Sequence, residues 1–480
     1  MKKIYSLITL CLLAAACQQQ FVPGSPTDGQ PSNIGKTVFY SADDEPLTFL
    51  PSVDSSAWTA LRSLDERFDA CSVPDDLLRR MTTDALVGSA VNYPLNYLIY
   101  VYNDPMSAVE LIFENSPLHR ELAARNDAPA ELVQLFSEAS MKIGQETLLT
   151  NETKQLSYTD EIFLEYLISH DNFSKKLDTE TTSILREAVD AKARDRLANP
   201  DIYSISSIEP LMTMDRSALL SVFVKGTKSG EFVRYTTVYT PLGKEIEGII
   251  SNDYTEAEST YITAQFSTQY PEATILGSAS ASYNCHSYAW HDNSTNNSVW
   301  INRCSQNNEF QLDKYWTLDA FVPVSEGAAN RVYYANDDHS AIRLTNGKYV
   351  SKWGSGPLME HDKNYSPYEY SNLQFFNVRS DIVYTLTITG DTPVGLNETN
   401  HFYEVASASK LDLEYEWVVK YMDADEPKPF DLIPNGNYGS NYCYRLVCKD
   451  YGLFKIHVWG KYMRQTVAYG QLNVIAIPNP

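Results

Sequence analysis

Cys285 is the residue of this 480-residue chain that is best placed to act as a nucleophile. It follows a run of small residues (277–282) and Asn284, a residue type that favours the N-cap of a helix. In the first turn of a helix, the positive end of the helix dipole favours a thiolate, and free N–H groups face any oxyanion that forms beside the sulfur. The sequence therefore predicts an activated cysteine at the start of a helix.

A cysteine nucleophile needs a base, and the sequence favours His339 for that role. His286 is adjacent to the cysteine, but side chains at positions i and i+1 diverge around a helix, so we do not expect it to accept the proton. Residues 331–335 alternate like a strand, and His339 begins a second strand that turns at Asn346-Gly347. We expect this strand to hold His339 beside the helix that begins at Cys285.

These two motifs resemble those of the NlpC-type and CHAP-type cysteine peptidases and amidases. The string Asn-Cys-x-x-Tyr-Ala occupies 284–289, and His-Ser-Ala-Ile occupies 339–342. The resemblance implies a papain-like α+β core within 206–380, with Cys285 as the nucleophile and His339 as the general base. It also implies hydrolysis of an amide bond in a peptidoglycan stem peptide or a protein, because many members of these families cut peptidoglycan peptides.

The same families use a third polar residue, on the strand after the catalytic histidine, to orient the imidazole. Hairpin counting puts Ser351 at that position, and His361 in the following segment is the alternative orienter. Asn284, Tyr288 and Trp290, which flank the cysteine, are expected to contribute to substrate binding. The resemblance implies no cofactor.

Two alternatives to catalysis follow from the same residues. A metal site would take as its ligands Cys285, His286, His291 and Cys304. Structural zinc sites usually have compact paired ligand spacings, which this set lacks, so we expect no metal. The second alternative is a buried cysteine and a structural histidine, because both residue types are common in protein cores. The protein would then be a non-catalytic surface binding or adhesion lipoprotein with a degenerate papain-like core.

The first 17 residues predict a secretion signal. Lys2 and Lys3 precede an apolar run (4–13) that is too short to span a bilayer, and small residues follow it. Because it ends at Cys17, the leader resembles a bacterial lipoprotein signal, which implies cleavage before Cys17 and lipidation of its thiol. Residues 18–50 predict a flexible stalk. We therefore expect a protein anchored by lipid in the cell envelope, at the outer membrane or the cell surface.

The net charge limits the kinds of partner that the protein can bind. The formal net charge of -23 repels phosphate backbones, so nucleic acid is not an expected partner.

The chain has seven cysteines, of which Cys11 would leave with the leader and Cys17 would carry lipid. An odd number then remains, so at least one thiol is unpaired even in an oxidising compartment.

The rest of the chain predicts a multidomain α+β protein. Residues 51–205 carry apolar residues at intervals of three to four with repeated cap signals, such as Ser116-Pro117, and predict an all-α helical region. Residues 206–380 mix helix and strand signals around the cysteine. A capping box that begins at Thr255 and ends at Glu258 predicts the start of one helix there.

Residues 381–480 predict a C-terminal β-sandwich, because short stretches of alternating apolar residues are separated by turn formers. The run 451–458, together with Trp417, resembles the late strands and core tryptophan of bacterial immunoglobulin-like or PKD-like modules. The resemblance implies a spacer or a binding accessory.

Overall fold

The computed structural model describes residues 32–33, 38–150, 154–214, 234–379, 386–406, 413–422, 428–434, 443–462 and 465–478. The chain is a multidomain α+β protein with helices concentrated in its first half and several sheets in its second half. The predicted leader, Cys17 and most of the stalk lie outside the described residues. None of the helices in the described ranges is long and apolar enough to cross a membrane.

Helices make up most of the region up to residue 214. They are α1 Leu50–Val53, α2 Ser55–Thr59, α3 Leu64–Ala70, α4 Asp75–Leu78, α5 Thr83–Val91, α6 Pro105–Asn115, α7 Pro117–Ala124, α8 Ala128–Glu138, α9 Tyr158–Ser169, α10 Asp171–Ser174, α11 Thr179–Ala198 and α12 Glu209–Met214, with α13 Glu256–Gln269 further on. The predicted cap signals lie where helices begin. Ser116 Oγ accepts the N–H of His119 as α7 starts, and Thr255 and Glu258 form the capping box of α13.

Two features of the N-terminal region differ from the prediction. The region is not all-α, since β4 Ser140–Lys142, β5 Leu148–Leu149 and β6 Lys154–Ser157 form a small sheet. These strands are too short to show an alternating pattern in the sequence. The folded part also begins before residue 50, because β1 Ser32–Asn33, β2 Val38–Tyr40 and β3 Thr48–Phe49 form a sheet. Strands β2 and β3 bury apolar side chains in the core.

The centre of the molecule is a seven-stranded antiparallel sheet. Its strands are β9 Thr274–Gly277, β10 Phe321–Pro323, β11 Arg331–Tyr334, β12 His339–Arg343, β13 Tyr349–Lys352, β14 Leu358–His361 and β15 Leu373–Val378, in the order β10-β15-β11-β12-β13-β14-β9. The predicted hairpin is present: β11 pairs with β12, His339 is the first residue of β12, and Gly347 has φ +87° in the turn to β13. A separate hairpin, β7 Arg234–Tyr239 with β8 Glu245–Ile250, precedes α13.

The sheet and the helical region share one hydrophobic core. Side chains alternate along each strand, so the sheet has two distinct faces. The helical face packs on the helical region and carries Val332, Tyr334, Ala341, Tyr349, Trp353 and Met359. The cysteine face lies on the side of Cys285 and carries Tyr333, Ser340, Val350, Lys352 and Leu358. The N-terminal helices are thus part of the same folded body as the sheet.

The backbones of the helical region and the central sheet are in close contact at Gly354. The N–H of Ser355 donates to the carbonyl of Tyr100 at 2.8 Å. Gly354 has φ +54°, and a Cβ at this position would lie 2.4 Å from the Tyr100 carbonyl oxygen. Only glycine satisfies both the backbone conformation and the space, so this junction is tightly specified.

The C-terminal region contains two four-stranded sheets with a common apolar core. One has the order β16-β18-β21-β20 and is built from β16 Thr387–Gly390, β18 Phe402–Ala406, β20 Phe430–Pro434 and β21 Cys443–Cys448. The other has the order β17-β23-β22-β19 and is built from β17 Val394–Gly395, β19 Glu414–Tyr421, β22 Gly452–Tyr462 and β23 Gln465–Ile477. Trp417 is buried between them, as the sequence predicts for a sandwich core.

Candidate functional site

Cys285 begins a short helical segment whose last five residues, Ser287–His291, form a π-helix. Asn284 caps it as predicted: its Oδ1 accepts the N–H of Ser287 at 3.0 Å. The side-chain amide of Asn284 also donates to the carbonyl of Ile301 at 2.7 Å and to Asn103 Oδ1 at 3.0 Å. These bonds fix the cysteine relative to both the following loop and the helical region.

His286 lies beside Cys285 and is held by two further polar side chains. Its Nδ1 is 2.9 Å from Ser340 Oγ, and its Nε2 is 3.4 Å from Asp338 Oδ1. The indole N–H of Trp290 donates to the same Ser340 oxygen at 2.9 Å. Ser340 and Asp338 therefore hold the ring from the side of the sheet, near enough to Cys285 for the charge of that residue to act on the imidazole.

The charges around His286 favour its protonated form. Burial alone would lower the pKa of His286, but the charges of Cys285 and Asp338 raise it to about 10. Partial desolvation would raise the pKa of the Asp338 carboxyl, whose side chain is 57 % exposed, but the charge of His286 helps to hold that pKa below its usual value. The arrangement is a chain of cysteine, imidazolium and carboxylate.

His339 projects from the opposite face of the sheet. Ser340 contacts His286, so the alternation of side chains directs the neighbouring His339 to the helical face. There its ring stacks on Tyr368, with centroids 3.4 Å apart, and lies edge-on to Tyr334. Neither ring nitrogen has a hydrogen-bond partner among the described residues. Burial, followed by the charge of His286, keeps the pKa of His339 well below its ordinary value, so its imidazole is neutral.

Ser351 and His361 lie on the helical face as well. Ser351 Oγ is 3.0 Å from His361 Nε2 and accepts the indole N–H of Trp353 at 3.0 Å. His361 Nδ1 is 2.9 Å from the carbonyl oxygen of Asp362, and burial lowers the pKa of His361 to about 4. The hydrogen bonds of Ser351 therefore join it to His361 and Trp353, not to the imidazole of His339.

A cavity of about 470 Å³ gives access to the cysteine. Its wall includes Cys285, Cys304, Asp338, His339 and Tyr368. The cavity lies where β12 begins, so residues that project from both faces of the sheet reach it. Cys285 itself is only 1 % exposed, which means that a substrate would meet it at the bottom of this cavity.

The predicted substrate-binding residues are buried supports of the site. Asn284 is fully buried and caps the segment that begins at Cys285. Tyr288 packs near Tyr283, and Trp290 packs in the apolar core on the cysteine face. Their observed contacts position the cysteine and its neighbour, and do not form the wall of its cavity.

The thiols and the metal alternative can be assessed from the side chains. Cys71, Cys285, Cys304 and Cys448 are free cysteines. In the described ranges, no group of three or more His, Cys, Asp or Glu side chains is arranged to hold a metal ion. The four residues of the metal alternative thus form no such group.

Sequence reasoning considered His286 and set it aside as the base, and it assigned no role to Asp338 or Ser340. Asp338 lies in the turn before β12 and has φ +43°, a conformation that Asp tolerates better than most residues. The alternation of side chains along β12 could have revealed Ser340, because it places His339 and Ser340 on opposite faces of the sheet.

The family comparison coincides with the central sheet. Residues 274–376 match the family described as "Domain of unknown function (DUF7689)". The match begins at the first residue of β9 and ends within β15, so it includes Cys285, His286 and β12. No curated protein and no solved structure matches the chain.

Proposed function

We propose that the protein is a cysteine hydrolase that cleaves an amide bond, with Cys285 as its nucleophile and His286 as its proton carrier. One observation carries the proposal: Cys285, at the bottom of an open cavity, adjoins an imidazole whose pKa is raised by that cysteine and by Asp338. A thiolate beside an imidazolium is the reactive state of cysteine hydrolases. His339 is the alternative proton carrier, because it lines the same cavity.

The reaction follows from these two groups. His286 takes the proton of Cys285, and the thiolate attacks the carbonyl carbon of the substrate. The imidazolium returns its proton to the leaving amine when the C–N bond breaks, which leaves a thioester on Cys285. Water then loses a proton to His286, attacks the thioester and releases the carboxylic acid. Asp338 orients the imidazole and stabilises its positive charge whenever His286 holds the proton of the thiol or of the attacking water.

A papain-like core is part of this proposal. Its support is a helical segment that begins with cysteine and packs on an antiparallel sheet whose central strand begins with histidine. The location of the polar partner differs from the family pattern, since Ser351 bonds His361 and Trp353. Asp338 takes the orienting role instead, from the turn before the histidine strand.

The activity can be tested with purified protein and two substrates, peptidoglycan and an unfolded protein. Mass spectrometry would detect new amino and carboxyl ends. We expect the wild type to hydrolyse one of the two substrates. Cys285→Ala should hydrolyse neither of them above background. Cys304→Ala is the matched control, because it removes the other thiol of the same cavity and should retain activity. Equal hydrolysis by wild type and Cys285→Ala would rule the mechanism out.

The proposed place of action is the cell envelope. A leader that ends at Cys17 would attach the protein to a membrane through lipid, and the chain that follows would let the folded body reach peptidoglycan or a protein substrate. Cys17→Ser should move the protein from the membrane fraction to the soluble fraction, as measured by immunoblotting. Unchanged membrane association would contradict lipidation at this residue.

A second function is favoured by the near-complete burial of Cys285. A site that is 1 % exposed also suits a lapsed enzyme that binds peptidoglycan or a surface protein without cutting it. In that case Cys285→Ala would bind peptidoglycan as well as the wild type does, and the wild type would release no products. Hydrolysis that disappears with Cys285→Ala would exclude this function.

A further inference from the structure

A second cavity, of about 210 Å³, adjoins the one that contains Cys285. It lies between the helical region and the loops that precede the sheet. Its wall contains several aromatic rings, including those of Tyr100, Tyr158, Tyr166, Tyr254 and Trp300. Tyr102, Asn103 and Asn302 line both cavities, so the two are neighbours that share one wall.

One carboxylate lies in this aromatic wall. Glu209, the first residue of α12, lines the cavity, and in the described part of the chain it has neither a hydrogen-bond partner nor a cationic partner. Burial raises the pKa of Glu209 to about 7, and no charge among the residues that the structure describes opposes that effect. Its own charge adds to burial in raising the pKa of the Tyr166 and Tyr254 phenols.

Three other polar side chains of the wall already have hydrogen-bond partners. Tyr158 Oη donates to Glu258, Tyr254 Oη donates to Ser355, and the indole N–H of Trp300 donates to Asn302. All three rings line the cavity and can therefore contact a ligand inside it. An unpaired carboxylate beside several aromatic faces attracts an organic cation, because the ring quadrupoles and the carboxylate both favour positive charge.

A bare metal ion fits this cavity poorly. Hard cations need several oxygen ligands, and Glu209 is a single carboxylate among neutral phenols. Within the described ranges no metal-binding group of three acidic, histidine or cysteine side chains occurs. The apolar part of the wall instead suits the carbon atoms of an amine.

We propose that this second cavity binds a small organic ammonium ion, which pairs with Glu209 and is enclosed by the rings of Tyr158, Tyr166 and Tyr254. The excess of acidic residues in the whole chain, with a formal net charge of -23, draws cations toward it. The proposal concerns binding alone, and it holds whether or not Cys285 is a nucleophile.

The test is calorimetric titration of the full-length protein with butylammonium and, separately, with 1-butanol as its neutral counterpart. We expect butylammonium to bind wild type at least about tenfold more tightly than 1-butanol, because only the cation pairs with Glu209. Equal affinity for the two probes would overturn the proposal, and this result does not depend on any variant.

Glu209→Gln keeps the shape of the side chain and removes its charge. We expect it to weaken butylammonium binding at least about tenfold and to leave 1-butanol binding unchanged. Glu187→Gln, at an exposed position of α11, is the matched control and should bind both probes like wild type. Butylammonium binding that survives in Glu209→Gln, with an unchanged circular dichroism spectrum, would contradict the proposal.

Discussion

The two faces of the central sheet both bury histidines, but in opposite electrostatic surroundings. On the cysteine face, His286 has a thiol, a hydroxyl and a carboxylate around it, and these neighbours favour the imidazolium. On the helical face, His339 and His361 lie among aromatic rings, and burial keeps both neutral. Burial is common to both faces, so the difference comes from the charged partners.

The difference in charged partners indicates which histidine is suited to which role. A neutral, stacked imidazole without hydrogen bonds fits a packing role, and an imidazolium held by a carboxylate beside a thiol fits a chemical one. We therefore place the proposed catalysis on the cysteine face and a packing role on the helical face. The following variants are designed to separate these two assignments.

The largest expected effect is on activity. His286→Gln should lower the rate of amide hydrolysis by about 10²- to 10⁴-fold, because it removes the proton carrier beside Cys285. His339→Gln, the matched variant on the helical face, should lower the rate by less than about tenfold. Initial rates on the substrate identified by mass spectrometry measure both. A larger loss in His339→Gln than in His286→Gln would reverse the assignment of the two faces.

The next effect is on stability and concerns Lys352, a fully buried lysine on the cysteine face. Its ammonium donates to the carbonyls of Ser280, Gly354 and Gly356 at 2.6–2.8 Å. Lys352→Met leaves these acceptors unpaired, so we expect the free energy of unfolding to fall by about 2–4 kcal/mol, as measured in urea.

Lys348→Met is the control for this variant. Lys348 pairs with Asp362 at 2.7 Å near the surface, and its removal should cost less than about 1 kcal/mol. Equal losses in the two lysine variants would mean that the buried ammonium does not hold the loop at Ser280 to the turn at Gly354 and Gly356.

The third effect is a pH dependence that follows from the raised pKa of His286. Because this pKa is about 10 in the folded protein and near 6.5 when unfolded, the imidazolium stabilises the fold. The contribution is fully present below pH 6.5 and is lost as the pH rises through 10. The advantage of wild type over His286→Gln in unfolding free energy should therefore shrink by about 2–4 kcal/mol between pH 6 and pH 10.

His339→Gln provides the contrast in the same experiment. The imidazole of His339 is neutral in the folded state across this pH range, so the difference between wild type and His339→Gln should stay constant. A constant difference for His286→Gln as well would show that His286 carries no extra proton in the folded protein.

The smallest effect is expected at Ser351. Ser351→Ala removes the hydrogen bonds to Trp353 and His361, so the free energy of unfolding should fall by about 1 kcal/mol, measured by urea denaturation. The hydrolysis rate should not change. If Ser351→Ala instead lowered the rate as strongly as His286→Gln does, Ser351 would belong to the catalytic group.

Local features of the sequence predict much of this structure. Cap signals identify the starts of α7 and α13 and the cap formed by Asn284, because each depends on residues within one helical turn. The hairpin around His339 and the turn at Gly347 follow from alternation and turn chemistry. The C-terminal sandwich follows from the same kind of pattern.

Other features depend on long-range packing and could not be read from local patterns. The contact between His286 and Asp338 needs the helical segment to pack on one particular face of β12. The shared core of helices and sheet, and the isolated carboxylate of Glu209, depend on how distant segments meet. The two contacts of the His286 ring likewise depend on a strand and a turn that are distant in the sequence, so helical spacing alone could not predict them.

The most direct test of the central claim is the rate of iodoacetamide labelling at Cys285, measured at pH 6 by peptide mass spectrometry. Only a thiolate reacts, so we predict labelling in the wild type and in His339→Gln, and at least about tenfold slower labelling in His286→Gln. Cys71, which is fully buried with a raised pKa, is the internal control and should stay unlabelled. Equal labelling of Cys285 in all three proteins, or none before unfolding, would contradict an activated pair of Cys285 and His286.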